Sequence, residues 1–405
     1  MKKLLSFLFL ALIIPIIFVM PGIADEANPV PREALEKERK ITENISEQVE
    51  KQIPLVKDPK REGKLAEIAA RLKPHMKRNL NYEVRIIERS DPHSFSLPGG
   101  LTYITTGMLE FLRSDDETAA VLAREFSHCD RSHWLIQSSR NDKIDLSTVA
   151  EAAAATQSGK VAGSMVKTYL NRAVINFYDI DLEKETDLIT LELLPKAGYD
   201  RAALLTFIER MRIERMKQLY VRGIDIRYRS GFKPLETVLD TMRFIKPKEG
   251  NRKETDPVRT DMVEANTDME ERMRSVLSYF NEHQINIRRK KALNVLKTRI
   301  SNKSGEITLA IDATEVIKSV GNEGSVEKYE GIKRKIDSYL ELETALYDIQ
   351  VQQIADSRVL LIEGRSIVDQ RDLPGGKADL GRVRDRIVKA LRDARRENFL
   401  TDYYE

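Results

Sequence analysis

The stretch Arg124-Glu125-Phe126-Ser127-His128 decides how this chain is interpreted. Residues three or four positions apart are neighbours on the surface of a helix. In a helix, Glu125 and His128 would therefore face the same side, and Arg124 would lie one turn before His128. The stretch predicts a helix that presents a base, an imidazole and a fixed cation to one site.

The same spacing occurs in the helical motif H-E-x-x-H, whose two histidines bind zinc while the glutamate activates a bound water. In this chain Arg124 stands at the position of the first histidine. A guanidinium stays protonated and has no lone pair to donate. Two unit charges about 4 Å apart interact by roughly 4 kcal/mol at an effective dielectric of about 20, and a divalent zinc doubles that repulsion. The arginine thus removes one ligand and adds a competing cation.

The sequence before this stretch predicts a strand that leads into the helix. Residues 95–100 read Phe-Ser-Leu-Pro-Gly-Gly, and residues 101–109 form a β-branched run that is typical of a strand. Ser114 followed by Glu117 is the pattern of a capping box, so we expect the helix to begin there.

The sequence after the stretch predicts two further helices. Residues 183–187 read Glu-Lys-Glu-Thr-Asp, and residues 196–200 read Lys-Ala-Gly-Tyr-Asp. Gly198 is placed to end one helix and Asp200 to cap the next. The whole order of motifs resembles the BepA/HtpX-like gluzincins, metallopeptidase family forty-eight, over about residues 32–280.

The resemblance implies a role for each matching residue. His128 and Glu183 correspond to zinc ligands, and Glu125 corresponds to the general base. Asp187, one turn beyond Glu183, corresponds to the carboxylate that orients a ligand histidine. We expect Arg124 to take the place of the metal between Glu183 and Asp187, because its planar fork suits carboxylates.

The resemblance also implies a strand edge to which an extended peptide could add by backbone hydrogen bonds. We assign this substrate edge strand to Leu101, Thr102, Tyr103, Ile104 and Thr105.

Other positions depart from the family pattern. His93 and Ser94 replace the usual Asn-Ala. Asp268 stands where the family often has the histidine of a Thr-His-Pro run, and Arg274 stands where an arginine often follows that run. Another histidine could complete a zinc site, and the chain has His75, His93, His133 and His283 besides His128. Of these, His133 would lie on a different helical face from His128, and we interpret it as a packing residue beside Trp134.

The first residues predict export. Lys2 and Lys3 precede the apolar run 4–20, and residues 22–24 read Gly-Ile-Ala, a small-x-small cleavage site. We expect residues 1–24 to be a signal peptide that is cleaved near Ala24, with retention as a membrane anchor as the alternative. The predicted location is the periplasm or cell envelope.

Residue counts exclude some classes of protein. The 67 basic and 64 acidic residues give a formal charge of +3, which is too small to indicate a nucleic-acid-binding protein. The run Arg288-Arg289-Lys290-Lys291 could lie near an anionic membrane, although a solvated helix face is the simpler interpretation. The single cysteine, Cys129, cannot form an internal disulfide.

The predicted fold class is α+β. After a linker at 25–31, residues 32–282 are expected to form a gluzincin-like, mainly helical metallopeptidase domain with a small antiparallel sheet. Residues 283–405 are expected to form a small α+β region of unknown role. Its helix from 380 to about 399 carries an apolar stripe of Val383, Ile387 and Leu391.

Three functions follow from these features. The first is a proteolytically impaired pseudo-peptidase, without zinc, that binds or escorts extended or unfolded polypeptides and envelope proteins in quality control. The second is an active zinc-dependent metalloendopeptidase with an atypical site. The third is a structural envelope protein.

Overall fold

The computed structural model describes residues 32–140, 178–229, 257–320, 323–373, 379–398 and 400. The predicted signal peptide and linker lie outside these residues. Elements are numbered in chain order over the described residues. No helix among them has the length and apolarity needed to cross a membrane.

Helices make up most of the first part of the chain. They are α1 (Arg32–Gln52), α2 (Pro59–Leu72), α3 (Thr106–Phe111), α4 (Asp115–Asp130), α5 (His133–Arg140), α6 (Ile180–Lys196), α7 (Ala202–Arg229), α8 (Pro257–Glu282) and α9 (Lys290–Leu293). Their bounds agree with the predicted caps. Ser114 accepts a hydrogen bond from the N–H of Glu117 at 3.0 Å, and Gly198 adopts the left-handed φ of 79° that ends a helix.

Helix α4 is the centre of this part. It packs against α2, α6, α7 and the sheet, and every residue from Ala119 to Asp130 is buried. A helix that is buried on all sides needs partners for each polar side chain it carries. Arg124, Glu125 and His128 are therefore held inside the protein and are not displayed on its surface.

The first sheet has three strands: β1 (Glu83–Ile87), β2 (Ser94–Ser96) and β3 (Leu101–Thr105). Their order is β1-β3-β2, with β1 parallel and β2 antiparallel to β3. The mainly helical α+β class is confirmed, and the expected antiparallel sheet contains one parallel pair.

The predicted substrate edge strand is wrong in one respect. Leu101–Thr105 is the central strand, so both of its edges are already paired, and all five of its residues are buried. A strand paired on both sides has no backbone groups left for a peptide. Among the residues that the structure describes, the free edge beside α4 belongs instead to β2, the short strand that precedes the Pro-Gly-Gly turn.

The C-terminal part contains two three-stranded antiparallel sheets, each followed by a helix. The first unit is β4 (Thr298–Lys303), β5 (Glu306–Ile311), β6 (Thr314–Val320) and α10 (Glu323–Tyr339). The second is β7 (Ile349–Ile354), β8 (Ser357–Ile362), β9 (Arg365–Asp369) and α11 (Leu380–Glu397). The predicted α+β character and the apolar stripe of the last helix agree with this arrangement.

The two units repeat one another. Strand β7 begins at residue 349, 51 positions after β4 begins at 298, and the register shifts once in each unit, after Leu309 and after Leu360. Helix α10 packs on β4, β5 and β9, whereas α11 packs on β7, β8 and β6. Each helix therefore covers its own sheet and the last strand of the other, so the two units share one core.

The basic run at residues 288–291 joins the two parts of the molecule. Arg289 is buried and donates to Glu209 of α7 at 2.8 Å and to Glu343 at 3.1 Å. Lys290 donates to two carbonyls near the end of α10, and Lys291 pairs with Asp116 of α4. The interpretation of this run as a solvated face is wrong for Arg289 and Lys290, whose cations are used between elements, while Arg288 and Lys291 are exposed. The apolar cores meet at Ala292 and Leu293, while the domain boundary at 282 stays a prediction.

Replacing Arg289 should loosen this junction. Arg289→Ala leaves Glu209 and Glu343 close together without a counter-charge, and removing one partner of a buried pair costs about 3 to 5 kcal/mol. Arg288→Ala is the matched control, since its side chain is 60% exposed and 3.9 Å from Glu341. It should change the free energy of unfolding by about 0 to 1 kcal/mol. Denaturant unfolding measures both values, and equal losses would contradict the role of Arg289.

Candidate functional site

The residues predicted to form a site come together between two helices. Arg124, Glu125 and His128 lie on α4, while Glu183 and Asp187 lie one turn apart on α6. The helices pack directly on each other. The i, i+4 spacing on both helices therefore brings all five side chains into one cluster.

Arg124 occupies the centre of this cluster. Its Nη2 donates to Oε2 of Glu183, and its Nε donates to Oδ1 of Asp187 at 3.0 Å. Arg124 and Asp187 are buried, with Asp187 fully so. The structure thus places the guanidinium between the two carboxylates, as the sequence predicts.

A second arginine completes the cluster and was missed from the sequence. Arg272 of α8 donates to both oxygens of Asp187, at 2.7 and 2.9 Å, and its Nη1 lies 3.2 Å from Oε2 of Glu183. The expectation that Arg274 stands behind the site is wrong. Side chains two residues apart on a helix point in directions about 200° apart, so Arg274 points away from the cluster that Arg272 enters. Arg274 faces outward and is exposed. Two buried carboxylates opposite one arginine were the signal that a second cation was required.

The arginines control the charge state of Glu183. Burial alone would raise the pKa of this carboxyl, but Arg124 and Arg272 hold the pKa well below its usual value. A third arginine, Arg215, lies close enough to interact with them. Burial, followed by the charge of Arg272, lowers the pKa of Arg215 to about 10, so it remains charged at neutral pH. Glu183 is therefore an anion surrounded by cations.

Glu125 has a different environment from Glu183. Its Oε1 accepts a hydrogen bond from the hydroxyl of Ser94 at 2.8 Å. Burial raises the pKa of Glu125, and neither Arg124 nor Ser94 fully offsets this effect. Ser94 is one of the residues that depart from the family pattern, and it binds the carboxylate that corresponds to the general base.

His128 contacts a second histidine. Its Nδ1 lies 3.0 Å from Nδ1 of His133, and its ring stacks on Tyr178 with centroids 3.9 Å apart. His133 in turn lies with Nε2 3.4 Å from Glu185. Burial lowers the pKa of both histidines. A neutral pair fits this geometry when His133 carries its proton on Nε2 and His128 donates from Nδ1.

The interpretation of His133 as a packing residue beside Trp134 overlooked this contact. The prediction treated residues 124–133 as one helix, on which His128 and His133 face different sides. Helix α4 instead ends at Asp130, and Ser132 adopts a left-handed φ of 56° before α5 begins. The turn brings His133 back toward His128. The donor set still lacks a third ligand, because Nδ1 of each histidine is used by the other.

The residues present do not fit a resident zinc ion. His128 offers one ring nitrogen, Nε2, 3.8 Å from Oε1 of Glu183, while two guanidiniums bind the other oxygen of Glu183. Within the described ranges, no group of three His, Cys, Asp or Glu side chains is placed to hold a metal ion. A divalent cation would have to displace both arginines and leave them buried beside it.

Comparison with known proteins agrees with the motif order. The profile of "Peptidase family M48" matches residues 56–294. The "Mitochondrial metalloendopeptidase OMA1" of Schizosaccharomyces pombe is 29% identical over 133 residues, 33% of this chain and 38% of that protein. The "Beta-barrel assembly-enhancing protease" of Escherichia coli O157:H7 is 23% identical over 209 residues, 48% of this chain and 43% of that protein. The predicted family resemblance is confirmed. The chain spans about two fifths of the length of these relatives.

Removing the second arginine should expose the dependence of the fold on this cluster. Arg272→Ala leaves the fully buried Asp187 with Arg124 alone, and we expect a loss of about 3 to 5 kcal/mol in the free energy of unfolding. Arg274→Ala, two residues along the same helix and exposed, is the control and should stay within about 0.5 kcal/mol of the unsubstituted protein. Thermal and denaturant unfolding provide the comparison. An Arg272→Ala protein as stable as Arg274→Ala would show that the cluster is not needed.

Proposed function

This chain belongs to peptidase family M48, and we propose that it is a pseudo-peptidase, one that binds extended or unfolded polypeptides beside α4 without hydrolysing them. One observation carries the proposal. Arg124 and Arg272 are both paired with Glu183 and Asp187. In the family resemblance, Glu183 corresponds to a ligand of the metal ion and Asp187 to the carboxylate that orients a ligand histidine.

Hydrogen bonds and ion pairs inside the cleft support impaired hydrolysis. General base catalysis requires a group that takes a proton from water at the working pH, and the pKa of Glu125, raised by burial, suits such a group. Its Oε1, however, already accepts a hydrogen bond from the hydroxyl of Ser94. The cations beside Glu183 neutralise the carboxylate that would otherwise face a substrate. The cleft keeps the positions of the family motif but pairs its charges internally.

Polypeptide binding relies on the free edge of β2. The closing bonds of the β2–β3 pair join Thr105 to His93 and Leu97 to Leu101. Because hydrogen-bonding direction alternates along an antiparallel strand, the backbone groups of Ser94 and Ser96 point to the outer edge. An extended peptide can add there as a fourth strand through backbone bonds, which tolerate many sequences. Such binding suits unfolded chains.

The predicted export signal and the relatives support a proposal for the partner class and the location. The bacterial relative is named for enhancing the assembly of β-barrels, and the first residues of this chain have the pattern of a signal peptide. We propose that the protein acts in the periplasm or cell envelope and escorts unfolded envelope proteins during quality control. An intact catalytic centre is not required for that task.

Restoring the missing ligand should restore metal binding. The purified protein should hold far less than one zinc per chain. Arg124→His should gain zinc because it recreates a His, His, Glu set, while Arg272 can remain bound to both oxygens of Asp187. The gain should disappear in Arg124→His/Glu183→Ala. Metal analysis before and after chelation measures each variant. Stoichiometric, chelator-sensitive zinc in the unsubstituted protein would contradict the pseudo-peptidase and favour the active metalloendopeptidase.

Polypeptide binding should depend on the edge of β2 and not on metal. Ser94→Pro removes the outward N–H, and we expect the affinity for an unfolded, fluorescently labelled polypeptide to fall roughly tenfold. Ser94→Ala removes the hydroxyl but keeps the backbone donor, so it should bind almost normally. Anisotropy titrations with and without chelator provide the test. Equal binding by Ser94→Pro and Ser94→Ala would rule out strand addition at β2.

A further inference from the structure

The two repeated units of the C-terminal part offer a matched pair of outer strands. Strands β4 and β7 occupy the same place in their sheets, each paired with only one strand within the part of the chain that the structure describes. Their residues are also buried to the same degree position by position, with the first buried, the third half-buried and the others exposed. The two outer strands therefore match in place and in burial and can be compared by the chemistry of their side chains.

That chemistry diverges. Strand β4 carries Arg299 and Lys303, whereas every residue of β7 is uncharged. Native proteins commonly protect an outer strand with charged side chains, because its unpaired backbone groups can otherwise recruit another strand. Strand β7 carries no such charge of its own. Tyr347, which lies two residues before β7, and Ile354, its last residue, are also 75% and 48% exposed, the first and second most exposed of the large apolar residues described.

The backbone of β7 is oriented to accept a further strand. Its hairpin to β8 has a two-residue loop, so Ile354 and Ser357 form the closing pair. From that pair the bonding direction alternates, and the N–H and C=O groups of Ile349, Val351 and Gln353 point away from β8. Arg384 of α11 agrees with this direction, since its Nε donates to the carbonyl of Ile349 at 3.1 Å. A carbonyl oxygen has two lone pairs, so the second one is left for the N–H of an added strand.

We propose that β7 pairs in an antiparallel manner with β7 of a second copy of this chain, about a two-fold axis at Val351. In this register Val351 of each copy bonds to Val351 of the other, and Ile349 bonds to Gln353. Gln350 lies opposite Gln352 of the second copy, so the exposed face carries two pairs of amides that can bond to each other. The two sheets become one six-stranded sheet.

The charges on the two outer strands favour self-pairing of β7, and hence a second copy as the occupant, over self-pairing of β4. An uncharged strand pairs with itself without like-charge repulsion, which β4, with its two cations, could not do. The strand is flanked by Asp348 and Asp356. An axis at Val351 places Asp348 opposite Ile354, while a shift of the axis by one residue to Gln352 would set Asp348 against Asp356. The acids at the two ends therefore disfavour the register centred on Gln352, whereas the register centred on Val351 also bonds the most outward-pointing residues of β7.

The test is the oligomeric state of the purified chain in solution. Sedimentation equilibrium should show a reversible dimer, and Gln350→Lys/Gln352→Lys should weaken association roughly tenfold or more, because each lysine then faces another. Ser301→Lys is the matched control. Since Arg299 already stands at the position equivalent to Gln350, this one change gives β4 the same pair of cations and should leave association unchanged.

Charge reversal distinguishes direct pairing from an indirect effect. Gln350→Glu/Gln352→Glu should also be monomeric alone, and mixing it with the lysine variant should restore association as a heterodimer. Failure of the mixture to associate would overturn the proposal. A wild-type chain that stays monomeric would also overturn it. In that case, deletion of residues 401–405 should be tested for a loss of hydrogen-exchange protection at the β7 amides. That last result would assign the edge to the tail of the same chain.

Discussion

The buried cluster of Arg124, Arg272, Glu183 and Asp187 is the interaction on which the first part of the structure depends. It joins α4, α6 and α8, which supply its members. Burying such charges is unfavourable unless each is paired and hydrogen-bonded, and here the two guanidiniums saturate both oxygens of Asp187. The cluster sets two monovalent cations against two carboxylates, and under the proposed function it takes the place of a metal centre.

The same cluster explains the state of the neighbouring groups. The two arginines bind Glu183 and Asp187. Glu125 instead accepts a hydrogen bond from the hydroxyl of Ser94, and His128 pairs with the imidazole of His133. Each arrangement satisfies a buried polar group without a metal ion. The helical motif keeps its spacing while its side chains pair with one another, and under the proposed function the adjacent edge of β2 binds a polypeptide.

Local features of the site could be predicted from the sequence, and features that depend on distant pairing could not. The cap at Ser114 and the turn at Gly198 are set by neighbouring residues, so they were found. The central position of Leu101–Thr105 depends on which strands pair, and the choice between Arg272 and Arg274 depends on the rotation of α8 relative to α6. The internal repeat was also missed, because its units share strand register and burial and differ in side chains, as Arg299 and Gln350 show.

The central claim is that arginine has replaced the metal, and X-ray diffraction recorded on both sides of the zinc absorption edge tests it most directly. Crystals of the unsubstituted protein grown with excess zinc should show no anomalous peak between Nε2 of His128 and Glu183, with both guanidiniums still bound to the carboxylates. A strong anomalous peak at that position, with Arg124 turned away from Glu183, would contradict the account.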